Sequence, residues 1–512
     1  MNLPARPAAS SAATSSAAAA ALRRRIATLG IALPLAGCSL SQGLFATLGP
    51  DYRPPAASPT RWHAPDPTAM IPHGLVAHGG SADALRNWWR QFDDPLLTEL
   101  LAAAQAESAN LAQAAARIEK ARADAVAANA VGNPSLDATA GASRSAFSFG
   151  GPAVKRTQVQ VGLQSNWEID LFGGLARQRE AARAQLDANV AAWHDARVAL
   201  AAEVATAYLN FRFCEMQIAL AQADAASRSE TARLTAVAAG AGLQSTSFVA
   251  LARASAADAA ATLAQRRTEC EIGVKGLVAL TAKDEDALRS LLAGAPALSA
   301  RLPRPARFSV GSVPANVLAQ RPDVAAAERD VAVASADIGV KEADRFPRLA
   351  LAGNINPGRS RLDGSPAISV ITWSIGPTLN LPLLDGGRRT ANLRAARMQY
   401  AAAETSYRAR VRTAVREVEE ALLRLNGVAG RLGDSRAAAQ GYRENLDAAR
   451  TRQRAGLGNL IELEDARRTA LAADGAVAAL EYEGVGAWIA LYRAVGGGWD
   501  GNVDPARDRA LP

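Results

Sequence analysis

The clearest pattern in this chain is a two-residue alternation of apolar and polar positions that runs from Val159 to Leu171. Apolar side chains and one serine occupy every second position, and polar residues or glycine lie between them. Successive side chains of a strand point to opposite faces, so this stretch has one apolar and one polar face. It predicts either a strand of a soluble sheet or a strand of a transmembrane barrel, with lipid outside and water inside.

The alternation occurs a second time, from Ile371 to Leu383. Each stretch is followed by a pair of glycines, Gly173 with Gly174 and Gly386 with Gly387, and then by a long alanine-rich helical pattern. The repetition in one context favours the barrel interpretation. Each stretch is predicted to be the second strand of a hairpin, the first hairpin spanning residues 134–172 and the second 347–385.

The helical pattern after the first hairpin is unusually long. Residues 175–239 include neither proline nor glycine, and one unbroken helix of that length would measure roughly 97 Å. Such a helix predicts a coiled coil or a helical barrel. After a turn at Gly242 a second helix is predicted from about Ser245 to about Ala282, and residues 283–322 are predicted to be a looser connector. A further helical stretch is expected before the first hairpin, capped by Asp93 or Asp94 and ending near Val131.

The two halves of the chain are a duplication. Pro134 matches Pro347 (347 − 134 = 213), and Gly242 matches Gly456 (456 − 242 = 214), so one inserted residue reconciles the two halves. The first repeat is predicted over residues 87–300, with its helical hairpin at 175–282. The second repeat is predicted over residues 301–499, with its helical hairpin at 388–495, followed by a tail at 500–512.

Four predicted strands per chain are too few to close a barrel, because the smallest membrane-spanning barrels have about eight. The unpaired strand edges must therefore pair with other copies of the chain. A homotrimer would give a twelve-stranded barrel and a ring of long helices. The predicted fold class is mostly α with a membrane β-barrel.

Composition excludes several function classes. The formal charge is +8, and removal of Arg6, Arg23, Arg24 and Arg25 with a leader leaves 8 − 4 = +4, too weak to indicate a nucleic-acid partner. No run of about 20 apolar residues predicts a membrane-spanning helix. Phosphate-loop, serine-hydrolase and zinc-protease motifs are absent from the sequence, and its four histidines lack ligand spacing. We therefore expect no catalytic residue, no metal and no cofactor.

The N-terminal residues have the pattern of an export signal. A basic segment, Arg23–Arg25, precedes a short apolar segment, Ile26–Leu35, and the motif LAGC ends at Cys38. LAGC resembles the lipobox of bacterial lipoproteins, which implies a signal peptide at 1–37, diacylglycerol and palmitoyl groups on Cys38, and a lipid-anchored arm at 38–86. The alternative is an ordinary signal peptide with an incidental cysteine.

Several short motifs together resemble one family, the TolC-type outer-membrane factors, in their NodT/OprM-like lipoprotein branch. The motifs appear in the family's order over nearly all of the chain after Cys38: GPDYRP at 49–54, WW at 88–89, FDDP at 92–95, WEIDLFG at 167–173, QRPD at 320–323, LLDGGR at 383–388, LY at 491–492 and GGGW at 496–499. The resemblance implies a trimeric duct in the outer membrane, with its helical barrel in the periplasm. It also implies docking on a periplasmic membrane-fusion adaptor and an inner-membrane pump.

The same resemblance implies functional residues at the two helical turns. Glu462 and Asp465, three residues apart and so on one helical face, match acids that close the periplasmic mouth in the family. Six carboxylates in a trimer would favour cations. The alternative is that they are solvated acids at a helix start. The turns themselves are implied contacts for the adaptor, through Gly242, Leu243, Arg454, Gly456 and Leu457.

The two remaining cysteines are predicted to form a disulfide. Cys214 precedes Gly242 by 242 − 214 = 28 residues, and Cys270 follows it by 270 − 242 = 28. Equal distances from an antiparallel turn place the two side by side, and an oxidising periplasm favours the bond. Its loop would be worth roughly 4 kcal/mol. The alternative is two buried free thiols.

These features predict the outer-membrane channel of a tripartite efflux system that exports small molecules such as drugs or solvents. The main alternative is the duct of a type I protein-secretion system. An open diffusion porin is less consistent with the long helices, because a porin needs only strands and turns. A purely structural coiled coil is less consistent with the two alternating stretches.

Overall fold

A computed structural model of the chain describes residues 45–54, 62–64, 88–148, 150–294, 302 and 314–499. The predicted signal peptide, Cys38, most of the arm and the C-terminal tail lie outside these residues. Two compact units are present. The first comprises the described parts of Met1–Gly49, Val131–Arg177 and Gly339–Thr390, and the second those of Pro50–Ala130, Gln178–Ile338 and Ala391–Pro512.

The first unit contains a four-stranded antiparallel sheet in the order β1-β2-β3-β4. The strands are β1 (Ser135–Phe147), β2 (Val154–Ile169), β3 (Arg348–Leu362) and β4 (Ile368–Asn380). Consecutive strands pair, so both predicted hairpins form and the central pair β2–β3 joins the two repeats. Strands β1 and β4 are the edges of the sheet.

The register confirms the two-faced pattern. Leu163 of β2 lies opposite Ala138 of β1 and Ile355 of β3, and Ile355 in turn lies opposite Trp373 of β4. Directly opposed side chains share a face, so this row is apolar across the whole sheet. The apolar side chains are exposed, including Trp373 with 71 % of its surface accessible. Nothing in the described part of the chain covers this face.

Both strands end earlier than the alternation predicted. Strand β2 ends at Ile169, and the next residue, Asp170, uses its carboxylate to accept a hydrogen bond from the Ala176 backbone N–H at 2.7 Å. Strand β4 ends at Asn380, which lies opposite Arg348, the first residue of β3, so no partner strand continues past this pair. The apolar residues beyond these points therefore belong to the strand–helix connections.

A glycine is required in the first connection. Gly173 has φ +71°, and a Cβ at this position would lie 2.5 Å from the Cα of Thr47. Any other residue would meet both a strained backbone and a steric clash. The arm residues Phe45 and Leu48 donate backbone hydrogen bonds to Leu171 and Phe172, which holds this part of the arm against the strand–helix connection.

Helices make up the second unit, and two of them are very long. Residues Gly174–Gly240 form α3 and Arg388–Arg454 form α8, 67 residues each. The return helices are α4 (Thr246–Thr281) and α9 (Leu460–Ala494). The shorter helices are α1 (Pro95–Glu107), α2 (Ala109–Ala130), α5 (Glu285–Gly294), α6 (Pro314–Ala319) and α7 (Pro322–Ala343). None of the described helices is long and apolar enough to cross a membrane.

The structure adds a break to one predicted helical stretch and corrects the predicted connector. The stretch before the first hairpin is broken at Ser108, which is extended and whose Oγ accepts a hydrogen bond from the Leu111 backbone N–H at 3.3 Å, so it caps α2. The connector at 283–322 contains the helices α5 and α6, besides the start of α7, and is therefore less loose than predicted. The side chain of Asp284 starts α5 by accepting hydrogen bonds from Asp286 and Ala287.

An aromatic and polar cluster joins the start of the first repeat to the end of the second. The Trp88 ring stacks on Tyr492 with centroids 4.8 Å apart, and the Tyr492 hydroxyl donates to the carbonyl of Gly497. Asp94, not Asp93, is the N-cap of α1, and it also accepts a hydrogen bond from the Tyr208 hydroxyl at 2.7 Å. Burial raises the pKa of Tyr208, so this phenol stays a donor.

The predicted disulfide is confirmed. Cys214 of α3 and Cys270 of α4 are bonded, with Cα atoms 5.7 Å apart. The matching positions of the second repeat, at the shift of 214 residues, are Val428 and Gly484. They also face each other, because a Cβ on Gly484 would lie 3.2 Å from the Val428 side chain. The first helical hairpin is therefore covalently clamped and the second is not.

We predict that Cys214→Ser/Cys270→Ser lowers the stability of the helical region by about 4 kcal/mol, since the closed loop no longer restrains the unfolded chain. Thermal melting followed by circular dichroism under non-reducing conditions measures this. Reductant should lower the melting temperature of the wild type to that of the variant and leave the variant unchanged. Identical melting of both proteins without reductant would contradict the prediction.

Candidate functional site: the tips of the two helical hairpins

Both helical hairpins turn through the same backbone motif. At the first tip the Leu243 N–H donates to the Ala238 carbonyl and the Gly242 N–H to Ala239, with Gly242 at φ +76°. At the second tip the Leu457 N–H donates to Arg452 and the Gly456 N–H to Gln453, with Gly456 at φ +72°. This is the Schellman motif, in which glycine takes the left-handed position that ends a helix. The sequence repeat A-G-L thus forms two equivalent turns.

The leucine that follows each glycine points into solvent. In a Schellman motif this residue commonly packs back on the last turn of the helix. Here Leu243 is 77 % exposed and Leu457 is 80 % exposed. Arg454, the last residue of α8, is also exposed and makes no ion pair within the described chain. Each tip therefore presents an uncovered apolar side chain at the end of a long helical hairpin.

The acids after the second tip are placed by the start of α9. The Asn459 side chain caps this helix by accepting a hydrogen bond from the Glu462 backbone N–H at 2.8 Å. The Glu462 carboxylate pairs back across the turn with Arg452 of α8, and Asp465 pairs with Arg468 at 2.5 Å. Both acids are on one helix, three residues apart, as predicted, and their position in the first turns also suits the helix dipole.

The spacing of the acids did not indicate their two arginine partners. Because each carboxylate has a guanidinium partner, the charge at this tip is mixed and not purely negative. A ring of six unpaired carboxylates is therefore not what this chain would contribute. Arg452 lies ten residues before Glu462, and only the geometry of the turn shows that the two meet.

A third acid, Glu464, has a separate role that the sequence analysis also missed. It is buried, with 7 % of its surface accessible, and accepts hydrogen bonds from Ser227 of α3 at 3.0 Å and from Arg467 at 2.7 Å. Arg467 also donates to the Ser227 hydroxyl. These three residues form an inter-hairpin latch that joins the second hairpin to the first. No spacing rule indicated it, because it depends on how α9 is rotated against α3.

The two hairpins are held closed by different interactions. Between α8 and α9 the ion pairs are exposed: Arg431 with Glu483 at 2.8 Å, Arg436 with Glu481 at 2.6 Å and Arg443 with Asp474 at 2.6 Å. The Asp474 carboxylate raises the pKa of Arg443 through its hydrogen bonds and charge. Exposed ion pairs contribute roughly 0–1 kcal/mol each and can break and re-form. The disulfide between α3 and α4 is a covalent bond and does not exchange in this way.

No group of three or more histidine, cysteine, aspartate or glutamate side chains within the described residues is arranged to hold a metal ion. The tips instead combine exposed apolar side chains, ion pairs and one buried latch.

Comparison with known proteins agrees with this architecture. The family model described as Outer membrane efflux protein matches residues 100–283 and 313–497, one segment in each repeat. Nodulation protein T of Rhizobium leguminosarum bv. viciae is 28 % identical over 479 residues, 93 % of this chain and 94 % of that protein. The solvent efflux pump outer membrane protein SrpC of Pseudomonas putida is 29 % identical over 481 residues, 91 % and 97 % of the two chains.

A solved structure shows the same fold. The outer-membrane channel OprN superposes with a TM-score of 0.78 at 30 % sequence identity, over 89 % of this chain and 100 % of that one. The mostly helical fold with a duplicated repeat is therefore that of outer-membrane channels. The predicted resemblance to TolC-type factors of the NodT/OprM-like branch is confirmed. The chain belongs to the outer membrane efflux protein family and is the outer-membrane channel of an efflux system.

Proposed function

We propose that three copies of this chain form a gated duct that exports small molecules, docked by its helical tips on a periplasmic adaptor that links it to an inner-membrane pump. The observation that carries the proposal is the four-stranded sheet with two open edges and an uncovered apolar face. Lipid can cover the apolar face. The unpaired backbone groups at the two edges can be hydrogen-bonded only by further strands, because lipid tails offer no hydrogen bonds to the backbone.

Closure requires at least two copies, because one sheet has four strands and the smallest spanning barrels have about eight. Three copies would give twelve strands, which leaves room for a lumen, whereas side chains fill the interior of a barrel of eight strands. The polar face of the sheet, with Gln158, Gln160 and Asn356, would line the interior and has the polar character of a water-filled lumen. A homotrimer would also contain twelve of the paired helices, since each chain contributes α3, α4, α8 and α9, and these would form a ring. This arrangement provides passage, with the energy supplied by the inner-membrane pump.

The second hairpin is the proposed moving element, and Glu462 with Asp465 form the proposed gate. Its helices are joined by exposed ion pairs, whereas the first hairpin is clamped by the Cys214–Cys270 disulfide. Glu462 pairs with Arg452 across the turn of this hairpin and Asp465 pairs with Arg468 within α9, so opening would change these pairs only by exchanging partners between copies. The latch of Ser227, Glu464 and Arg467 would hold the closed position within each chain.

The exposed tip leucines are the proposed adaptor contact. An apolar side chain at the end of each hairpin, with Arg454 beside the second one, suits a partner with an apolar groove and an acidic residue. Each trimer would present six such tips. The polar lumen sets little selectivity, so the pump would choose the cargo, and the name of SrpC supports solvents as one class of substrate.

Anchoring by Cys38 also belongs to this proposal. Acyl chains on this cysteine would be a second membrane anchor, in addition to the apolar face of the sheet. The backbone hydrogen bonds of Phe45 and Leu48 show that the residues shortly after Cys38 reach the base of the sheet. The lipid anchor and the strands would therefore lie at the same membrane.

We predict that Glu462→Ala/Asp465→Ala raises the single-channel conductance in a planar bilayer several-fold, because the carboxylates of the proposed gate are lost. The matched control is Glu444→Ala/Asp447→Ala, an equally spaced and exposed pair farther from the tip on α8, which should conduct like the wild type. A wild type that is already wide open and unaffected by either change would reject the gate.

We predict that Leu243→Ser/Leu457→Ser abolishes efflux, since the apolar contact with the adaptor is lost. The variant is expressed in a strain from which the gene for this channel has been deleted. The measurement is the minimum inhibitory concentration of a pump substrate, which should fall to that of the deletion strain. Leu251→Ser, an exposed leucine on α4 beyond the tip, is the control and should restore efflux. Full efflux by the double tip variant at normal expression would exclude these tips as the docking surface.

A further inference from the structure

Three arginines lie on the apolar face of the sheet, at the end nearest the hairpin turns. In the register, Arg144 of β1 faces Thr157 of β2, and Thr157 faces Arg361 of β3. One pleat closer to the centre of the sheet, Arg359 faces Val159. Opposed residues share a face, and Val159 belongs to the apolar one. The three side chains therefore point in the same direction as the apolar band.

The three arginines are close to one another. Neighbouring strands lie about 4.8 Å apart, so the backbones at Arg144 and Arg361 are roughly 10 Å apart, and Arg359 lies about 7 Å along its strand from Arg361. Long flexible side chains at these spacings can converge on one ligand. We call Arg144, Arg359 and Arg361 the outer arginine cluster.

The cluster is exposed and its charge is not compensated within the described chain. None of the three residues forms an ion pair with a described residue. The next row toward the turns contains Lys155 and, opposite it, Asp363, whose backbone N–H donates to the Lys155 carbonyl. Asp363 is the one acid in this row and in the two rows of the cluster. By contrast, Arg156 on the polar face is half-buried and donates to the Ser360 hydroxyl. The outward arginines thus differ from their inward neighbour in lacking a protein partner.

The position of the cluster along the strands identifies its surroundings. Between Leu379 and Ile371 of β4, and on the opposed positions of the other strands, the apolar face has no charged side chain. That uncharged length is close to the roughly 9–11 residues with which a tilted strand crosses the hydrocarbon layer. The cluster starts in the next row, which places it at the level of the lipid headgroups. The long helices leave from the opposite end of the strands, so this is the outer leaflet.

We propose that the outer arginine cluster binds the phosphorylated headgroup of an anionic lipid of the outer leaflet, of the bisphosphorylated glycolipid (lipid A) type. Guanidinium groups bind phosphate oxygens in bidentate fashion and carry a permanent charge. The acyl chains of the same lipid would cover the apolar rows beside Val159 and Ile371, so one molecule satisfies both the charge and the exposed apolar surface. A trimer would carry three such clusters around its circumference.

Lipid titration followed by native mass spectrometry of the detergent-extracted, full-length protein tests the proposal. The probes are bisphosphorylated lipid A, the same lipid after removal of both phosphates, and inorganic phosphate. We expect binding of the bisphosphorylated lipid that weakens with added salt, and much weaker binding of the other two. Arg144→Gln/Arg359→Gln/Arg361→Gln should reduce the affinity about fivefold per arginine and on the order of a hundredfold together at low ionic strength.

Arg156→Gln is the matched control, because it removes a positive charge at the same level from the opposite face, and it should bind the lipid like the wild type. Unchanged oligomeric mass of the triple variant shows that it has assembled, and single-arginine variants replace it if assembly fails. Equal affinity of the variants and the wild type would overturn the proposal. Binding of inorganic phosphate as strong as that of the lipid, or of the dephosphorylated lipid as strong as the phosphorylated one, would overturn it as well.

Discussion

The constraint on which the structure depends is that backbone N–H and C=O groups in the hydrocarbon layer must be hydrogen-bonded by other protein groups. Each chain supplies one four-stranded sheet whose outer strands, β1 and β4, have an unpaired edge. The apolar face tolerates lipid, but the edges do not. Assembly with further copies is therefore a condition for this sheet to exist in a membrane. It also defines the closed wall that makes a lumen possible.

The duplication explains the regularity of the molecule, and two differences between the repeats bear on the proposed gate. Equal helices of 67 residues and equivalent glycine turns show how closely the halves correspond. They differ where the first repeat has Cys214 bonded to Cys270 and the second has Val428 facing Gly484. They differ again after the turns, where the second repeat alone has acids. A disulfide thus clamps the first hairpin, whereas exposed ion pairs and a buried apolar cluster join the helices of the second.

Sequence patterns predicted those features that depend on periodicity or on distance along the chain. The period of two located the strands, the long stretch without proline or glycine located α3, and equal spacing from Gly242 identified the disulfide. Features that depend on helix rotation or on one side-chain hydrogen bond were not predictable. The pairing of Glu462 with Arg452, the burial of Glu464 against Ser227, and the break at Ser108 belong to this group. The ends of the strands were misplaced because the Asp170 side chain binds the start of α3 and because β3, the partner of β4, begins at Arg348, whereas the alternation continues past both points.

Completion of the sheet by other copies of the chain is the central requirement of this structure. The decisive measurement is the mass of the mature protein extracted in a mild detergent, determined by native mass spectrometry at concentrations low enough to disperse incidental aggregates. Closure of a twelve-stranded barrel predicts one species with three times the mass of the mature chain. A folded monomer that retains its sheet would contradict it, because open edges would then be tolerated. A stable dimer would contradict it as well, because two sheets would close a barrel of only eight strands.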